Sequence, residues 1–152
     1  MPEIIVQLRR HIGHDLLWLP GVTAVVLRGR SVLLVRRSDD GSWGPVSGIV
    51  EPGQHPAEVA VREVLEETAV TCVVESLVAV GVTDPVEYPN GDRAQYLDHT
   101  FRCRYVGGTP RVADDESLEV GWFELADLPE MPEHLLGRIT SAVEHVGPTR
   151  LT

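Results

Sequence analysis

Apolar positions Ile4, Ile5 and Leu8 recur at helical spacing, which predicts a short N-terminal helix over Glu3–His11. Pro20-Gly21 then predicts a break in the chain. Val22–Arg28 and Ser31–Arg37 are two β-branched runs around Gly29-Arg30, the pattern of a hairpin. Trp43–Val50 carries scattered Gly and Pro and reads as a short strand or loop, with a turn at Glu51–Gln54. The strongest helical pattern is His55–Thr68, where Pro56 suits the first turn and no later Gly or Pro interrupts the helix. Val70–Val82, Gln95–Val106 and Leu118–Leu125 read as strands, the first with an irregularity at Glu75-Ser76. Thr83–Arg93 reads as a loop, and a last helix is predicted from Glu133 to about His145. Strands on both sides of one strong helix, with another helix at the end, indicate a mixed α/β layered domain.

The strong helix carries an unusual polar set. Glu63, Glu66 and Glu67 stand at i, i+3 and i+4, so they share one arc of roughly 100 degrees. Ala57, Val61, Val64, Leu65 and Thr68 fall on a different arc, which is expected to face the core. Like charges at this spacing repel. Such a set is either a solvated acidic face or a site for hard divalent cations, which prefer carboxylate oxygens. Arg62 serves as a counter-charge in both cases. Gly48 and Gly53 bracket the turn that feeds the helix and permit a close backbone approach there.

Composition narrows the classes. The chain has 152 residues, a length that suits one domain over residues 1–152. A net charge of −10 argues against a general nucleic-acid binder and against an anionic-membrane binder. It leaves room for a phosphorylated ligand, because bound divalent cations invert the local field. Cys72 and Cys103 are too few for a disulfide framework and are expected as buried thiols. Met1–Arg10 has no signal pattern, and no apolar run approaches the roughly 18 residues of a membrane span. These features set the expectation of a soluble, cytoplasmic protein.

The segment Gly48–Val70 resembles the Nudix box: glycine, five residues, an acidic residue, seven residues, then Arg-Glu-aliphatic-x-Glu-Glu-x-Gly-aliphatic. Gly48, Arg62, Glu63, Val64, Glu66, Glu67 and Val70 match in register. Gln54 stands where the family has Glu, and Ala69 stands where it has Gly. The first substitution is expected to turn any ion pair with Arg62 into a weaker hydrogen bond. The second implies that the helix end avoids a left-handed residue. The flanking layout is similar to the family's α/β/α sandwich with a mixed β-sheet.

The resemblance implies a pyrophosphohydrolase that cleaves a nucleoside diphosphate linked to another group, with Mg²⁺ or Mn²⁺ as cofactor. Glu63, Glu66, Glu67 and the carbonyl of Gly48 are the implied metal ligands, and Arg62 orients the glutamates. The general base is either Glu63 or a residue of the later acidic run Asp114–Glu116 with Glu119, among which Glu116 is chosen. Arg37 resembles a substrate-phosphate contact, and Tyr88 and Tyr96 are candidates for base or sugar contacts. Pro85, fifteen residues after Val70, resembles a marker of ADP-ribose pyrophosphatases. ADP-ribose or a similar nucleotide sugar is therefore the expected substrate. The alternatives are a (d)NTP pyrophosphohydrolase of the sanitising kind and a binding module that senses a nucleotide without cleaving it. A nucleotide is the expected partner, and the resemblance also allows a homodimer.

Overall fold

The computed structural model describes all residues, Met1–Thr152. Its elements run α1 (Glu3–Ile12), β1 (Leu17–Arg28), β2 (Ser31–Arg37), β3 (Trp43–Gly44), β4 (Val46–Ile49), α2 (Pro56–Thr68), β5 (Thr71–Val82), β6 (Val86–Glu87), β7 (Arg93–Gly107), β8 (Ser117–Glu124) and α3 (Glu133–Glu144). The sheet is mixed: β1 and β7 run parallel, and every other pairing is antiparallel. The order β3-β2-β1-β7-β5 forms its spine, with β4 on β1, β6 on β7 and β8 on β2. No helix is long and apolar enough to cross a membrane.

Alternation along β1 divides the core. Val22, Ala24 and Val26 point to one face and pack with Val59, Ala60 and Val64 of α2. Val25 points to the other face and packs with Ile139 and Ala142 of α3. Leu17 and Leu19 pack with Ile5 of α1. One helix on one face and two on the other make the α/β/α sandwich. Cys72 and Cys103 are buried free thiols on the two paired strands β5 and β7.

Three local expectations are corrected. Pro20-Gly21 does not break the chain; β1 runs through it. Parallel pairing with Leu97 and Asp98 holds the segment extended, a backbone that proline tolerates. The β1–β4 ladder begins only at Gly21, so the N–H that proline lacks falls at its end. The Pro20 carbonyl still accepts from the Val50 N–H at 2.9 Å. The predicted loop Thr83–Arg93 contains the short strand β6, paired with the start of β7. On α2, Leu65 is 50% exposed while Glu67 is only 5% exposed, the reverse of the periodicity reading. A later loop lies over the end of this helix and covers the Glu67 side.

Candidate active site

The site grows from the two ends of the strongest helix. At the entrance, the Gly53 turn has φ of +85°, a left-handed backbone natural to glycine. Gln54 closes this turn: its side-chain Oε1 accepts from the Glu51 N–H at 3.0 Å, and its own N–H donates to the Glu51 carbonyl at 3.1 Å. It makes no hydrogen bond to Arg62, so the expected contact is replaced by a role in the turn. Gly48 matters for space instead. A Cβ there would lie 2.6 Å from Glu63 Cγ and 2.9 Å from its carboxyl carbon. Only glycine lets β4 and the Glu63 side chain pass so closely.

At the far end, Ala69 has φ of +62°, the one non-glycine residue in the left-handed region. The helix thus ends in the usual left-handed way despite lacking glycine, which corrects the expectation from sequence. The loop leading to β8 satisfies the helix end. Arg111 N–H donates to the Thr68 carbonyl at 3.0 Å, and Ala113 N–H donates to the Glu67 carbonyl at 3.2 Å. These two bonds cap carbonyls that a helix end leaves free. They also bring the acidic run Asp114–Glu116 against α2.

The result is a set of three carboxylates. Glu63, Glu67 and Glu116 each offer an oxygen, and these oxygens lie within 4.8 Å of one another. Glu63 is half-buried, Glu67 buried and Glu116 exposed. Arg62 reaches Glu63 Oε1 and Glu66 Oε1, each at 3.5 Å. Glu66 itself is exposed and stands outside the set of three. No ion pair reaches Glu67.

The electrostatics arise from this crowding. Burial pushes the Glu67 carboxyl up to about 9, and repulsion from Glu63, Asp114 and Glu116 adds to the effect. Burial also raises Glu63, helped by Glu66 and opposed by Arg62. Asp114 is raised chiefly by burial. Glu66 and Glu67 further occupy the last turn of α2, where no basic residue stands. That is the negative end of the helix dipole, which disfavours carboxylates. Glu67 is thus left without a counter-charge, whereas Glu63 and Glu66 share Arg62.

Arg37 stands at the end of β2, where its Nε and Nη2 both donate to Asp39, at 2.9 and 2.6 Å. The Asp39 contact raises the guanidinium further above its ordinary value. Arg36 pairs with Glu119 at 3.5 Å, which engages the alternative acid of that region. The Tyr88 and Tyr96 hydroxyls lie 2.6 Å apart in a mutual hydrogen bond, with both rings packed near Ile49 and α1. Trp43 meets Phe123 edge to face at 4.8 Å in the α3 core.

The family model for the NUDIX domain matches residues 17–141 of this chain. The chain belongs to the Nudix family. A MutT-like protein from Streptomyces ambofaciens is 34% identical over 130 residues, covering 84% of this chain and 78% of its own. The NAD-capped RNA hydrolase NudC of Pseudomonas putida (strain W619) is 33% identical over 119 residues. That match covers 74% of this chain but only 39% of the NudC length, so this chain corresponds to a part of that protein. Among solved structures, a UDP-X diphosphatase superposes with a TM-score of 0.72 at 22% identity, covering 99% of this chain and 74% of its own. An ADP-ribose pyrophosphatase from Streptococcus suis gives 0.68 at 22% identity, covering 88% and 98%. These last two likenesses show the Nudix fold. The chain thus carries the domain of the Nudix hydrolases, which generally act on nucleotides with divalent metal ions.

Proposed function

We propose that this Nudix hydrolase is a Mg²⁺- or Mn²⁺-dependent pyrophosphohydrolase acting on ADP-ribose or a similar nucleotide sugar, with residues 1–152 forming one domain. The observation that carries the metal reading is Glu67. It is a buried carboxylate with no cationic partner, and it faces two further carboxylates within 4.8 Å. Burying a charge without compensation is costly, and hard divalent ions are the partners that an all-oxygen donor set fits. Glu63, Glu66, Glu67 and the Gly48 carbonyl would hold the ions. When bound, they neutralise the diphosphate and make water acidic enough to attack.

The chain's own residues then divide the work. Arg62 holds Glu63 and Glu66 through its two ion pairs and so fixes their orientation. Glu116, the exposed member of the carboxylate set, takes a proton as water forms a bond to phosphorus; Glu63 is the alternative base. The P–O bond to the departing phosphate breaks, giving a nucleoside monophosphate and a phosphorylated sugar. Arg37 contacts the substrate phosphate and Tyr88 the base or sugar. Pro85 supports the nucleotide-sugar reading by its spacing from the box. The MutT-like relative, and a human 8-oxo-dGDP phosphatase at 32% identity over 135 residues, favour nucleotide-pool sanitising as the second reading.

Product chromatography with Mg²⁺ and a panel of ADP-ribose, nucleotide sugars, dinucleotides and (d)NTPs separates them. AMP plus ribose phosphate is the expected result. A nucleoside monophosphate plus pyrophosphate, from (d)NTP alone, overturns it in favour of sanitising. Binding without any cleavage overturns it in favour of a nucleotide sensor.

A further inference from the structure

Glu116 presents a physical problem. It is exposed, so no packing fixes it, and its carboxylate stands beside two others that repel it. Something else must keep its loop in place. At one end the loop is tied to α2 by the Arg111 and Ala113 N–H groups. Beside these ties Gly108, with φ of +93°, passes so close to the helix end that a Cβ would collide with the Ala69 carbonyl oxygen. At the other end the β2–β8 ladder slips between Arg36 and Arg37, and its last pair is Arg37 with Ser117. Strand pairing therefore stops one residue short of Glu116.

The next residue of the partner strand takes over. Ser38 N–H donates to the Glu116 carbonyl at 3.0 Å. The Ser38 hydroxyl, which has one hydrogen to give, is shared between the Glu116 carbonyl at 3.0 Å and the Asp115 carbonyl at 3.2 Å. The Glu116 N–H is held from its other side by Asp114 Oδ1 at 3.1 Å. We propose that Ser38 is a positioning residue: its hydroxyl fixes the Asp115-Glu116 backbone so that the Glu116 carboxylate stays with Glu63 and Glu67. The inference rests on the proposed metal site. Ser38 makes no hydrogen bond to Glu63, Glu66 or Glu67, and its bonds here go to the Asp115 and Glu116 carbonyls.

The test is calorimetric binding of Mn²⁺ alone to the full chain, in wild type, Ser38→Ala, Ser38→Thr, Glu116→Gln and the double variant Ser38→Ala/Glu116→Gln. Ser38 is exposed, so each variant is expected to fold, and melting temperatures check this. The Glu116 charge, within 4.8 Å of Glu63 and Glu67, strengthens cation binding there even while Glu116 serves as the base, so Ser38→Ala should weaken Mn²⁺ binding by roughly three- to tenfold, the worth of one ordinary hydrogen bond. Ser38→Thr, which keeps the hydroxyl, should restore it. Adding Ser38→Ala to Glu116→Gln should change nothing, because the carboxylate through which Ser38 acts is gone. Wild-type affinity in Ser38→Ala, or the same loss with and without the Glu116 carboxylate, overturns the role of Ser38 alone. Absence of Mn²⁺ binding by the wild type overturns the metal reading and this inference with it.

Discussion

Two buried carboxylates lie on opposite sides of the sheet, and they are built in opposite ways. Asp98 on β7 is 7% exposed and fully engaged. Its Oδ1 accepts from the Thr23 hydroxyl at 2.8 Å and its Oδ2 from the Thr100 hydroxyl at 2.7 Å. Arg138 of α3 brings its Nε to 3.6 Å from Oδ2 and donates from Nη1 to the Thr23 hydroxyl at 3.1 Å. Glu67 is 5% exposed and has only carboxylates acting on it. Equal burial thus serves two purposes. The Asp98 group is complete and ties α3 to β1 and β7. The Glu67 group has no counter-charge, and under the proposed function a divalent cation would complete it. Burial is alike in the two, so what sets Glu67 apart is the missing counter-charge.

Substitution separates the two carboxylates. Glu67→Gln should lower turnover with Mg²⁺ by at least about 100-fold, since it removes a metal-binding charge at the reacting centre. Steady-state rates measure this, and an undiminished rate would place the site elsewhere. Asp98→Ala should do the reverse. It leaves Arg138 without its carboxylate, and a broken buried pair costs about 3 kcal/mol of stability in urea unfolding. Its kcat should stay near wild type; a large loss of kcat at full stability would make the Asp98 group part of the site instead.

Acidity sharpens the contrast. Glu67 titrates near 9 in the folded chain, against an ordinary value of 4.5. Between these values the folded chain holds a proton that the unfolded chain has released. That contribution to stability is present below about pH 4.5 and is lost as pH rises toward 9. Metal-free protein should therefore lose this contribution across that window in urea titrations, and saturating Mg²⁺ should flatten the trend. The smallest effect is expected at the end of α2. Ala69→Gly should stabilise the chain by about 0.5–1 kcal/mol, because glycine adopts φ of +62° without the Cβ strain.

Most of the layered architecture was legible in local pattern. The bounds of α1, α2 and α3 fall within a residue or so of the periodic segments, and the hairpin β1–β2 follows from its β-branched runs. The features that local pattern misread depend on distant chain. The 3.6-residue period assigned Leu65 to the core and left Glu67 on an exposed acidic arc, because nothing near them announces the loop that later covers that side. Pro20-Gly21 looks like a break until β7 arrives alongside. The left-handed Ala69 and the turn-closing Gln54 are conformational choices that a match to a consensus cannot show. The box register puts Glu63, Glu66 and Glu67 on one helix, but the structure separates them, leaving Glu66 with Arg62 and drawing Glu116 in from a loop far along the chain. Ser38 carried no sequence signal, since its contacts are to backbone carbonyls.

We propose that Glu67 is buried in want of a cation. Thermal unfolding at pH 8, for wild type and Glu67→Gln, each without metal and with saturating Mg²⁺, tests it most directly. Without metal the variant should melt higher, because it removes an uncompensated buried acid. With Mg²⁺ the wild type should rise by several degrees, on the order of 2–4 °C per kcal/mol of binding, and the variant should rise far less. Equal melting of the two proteins, unmoved by Mg²⁺ in both, would mean that Glu67 holds no cation.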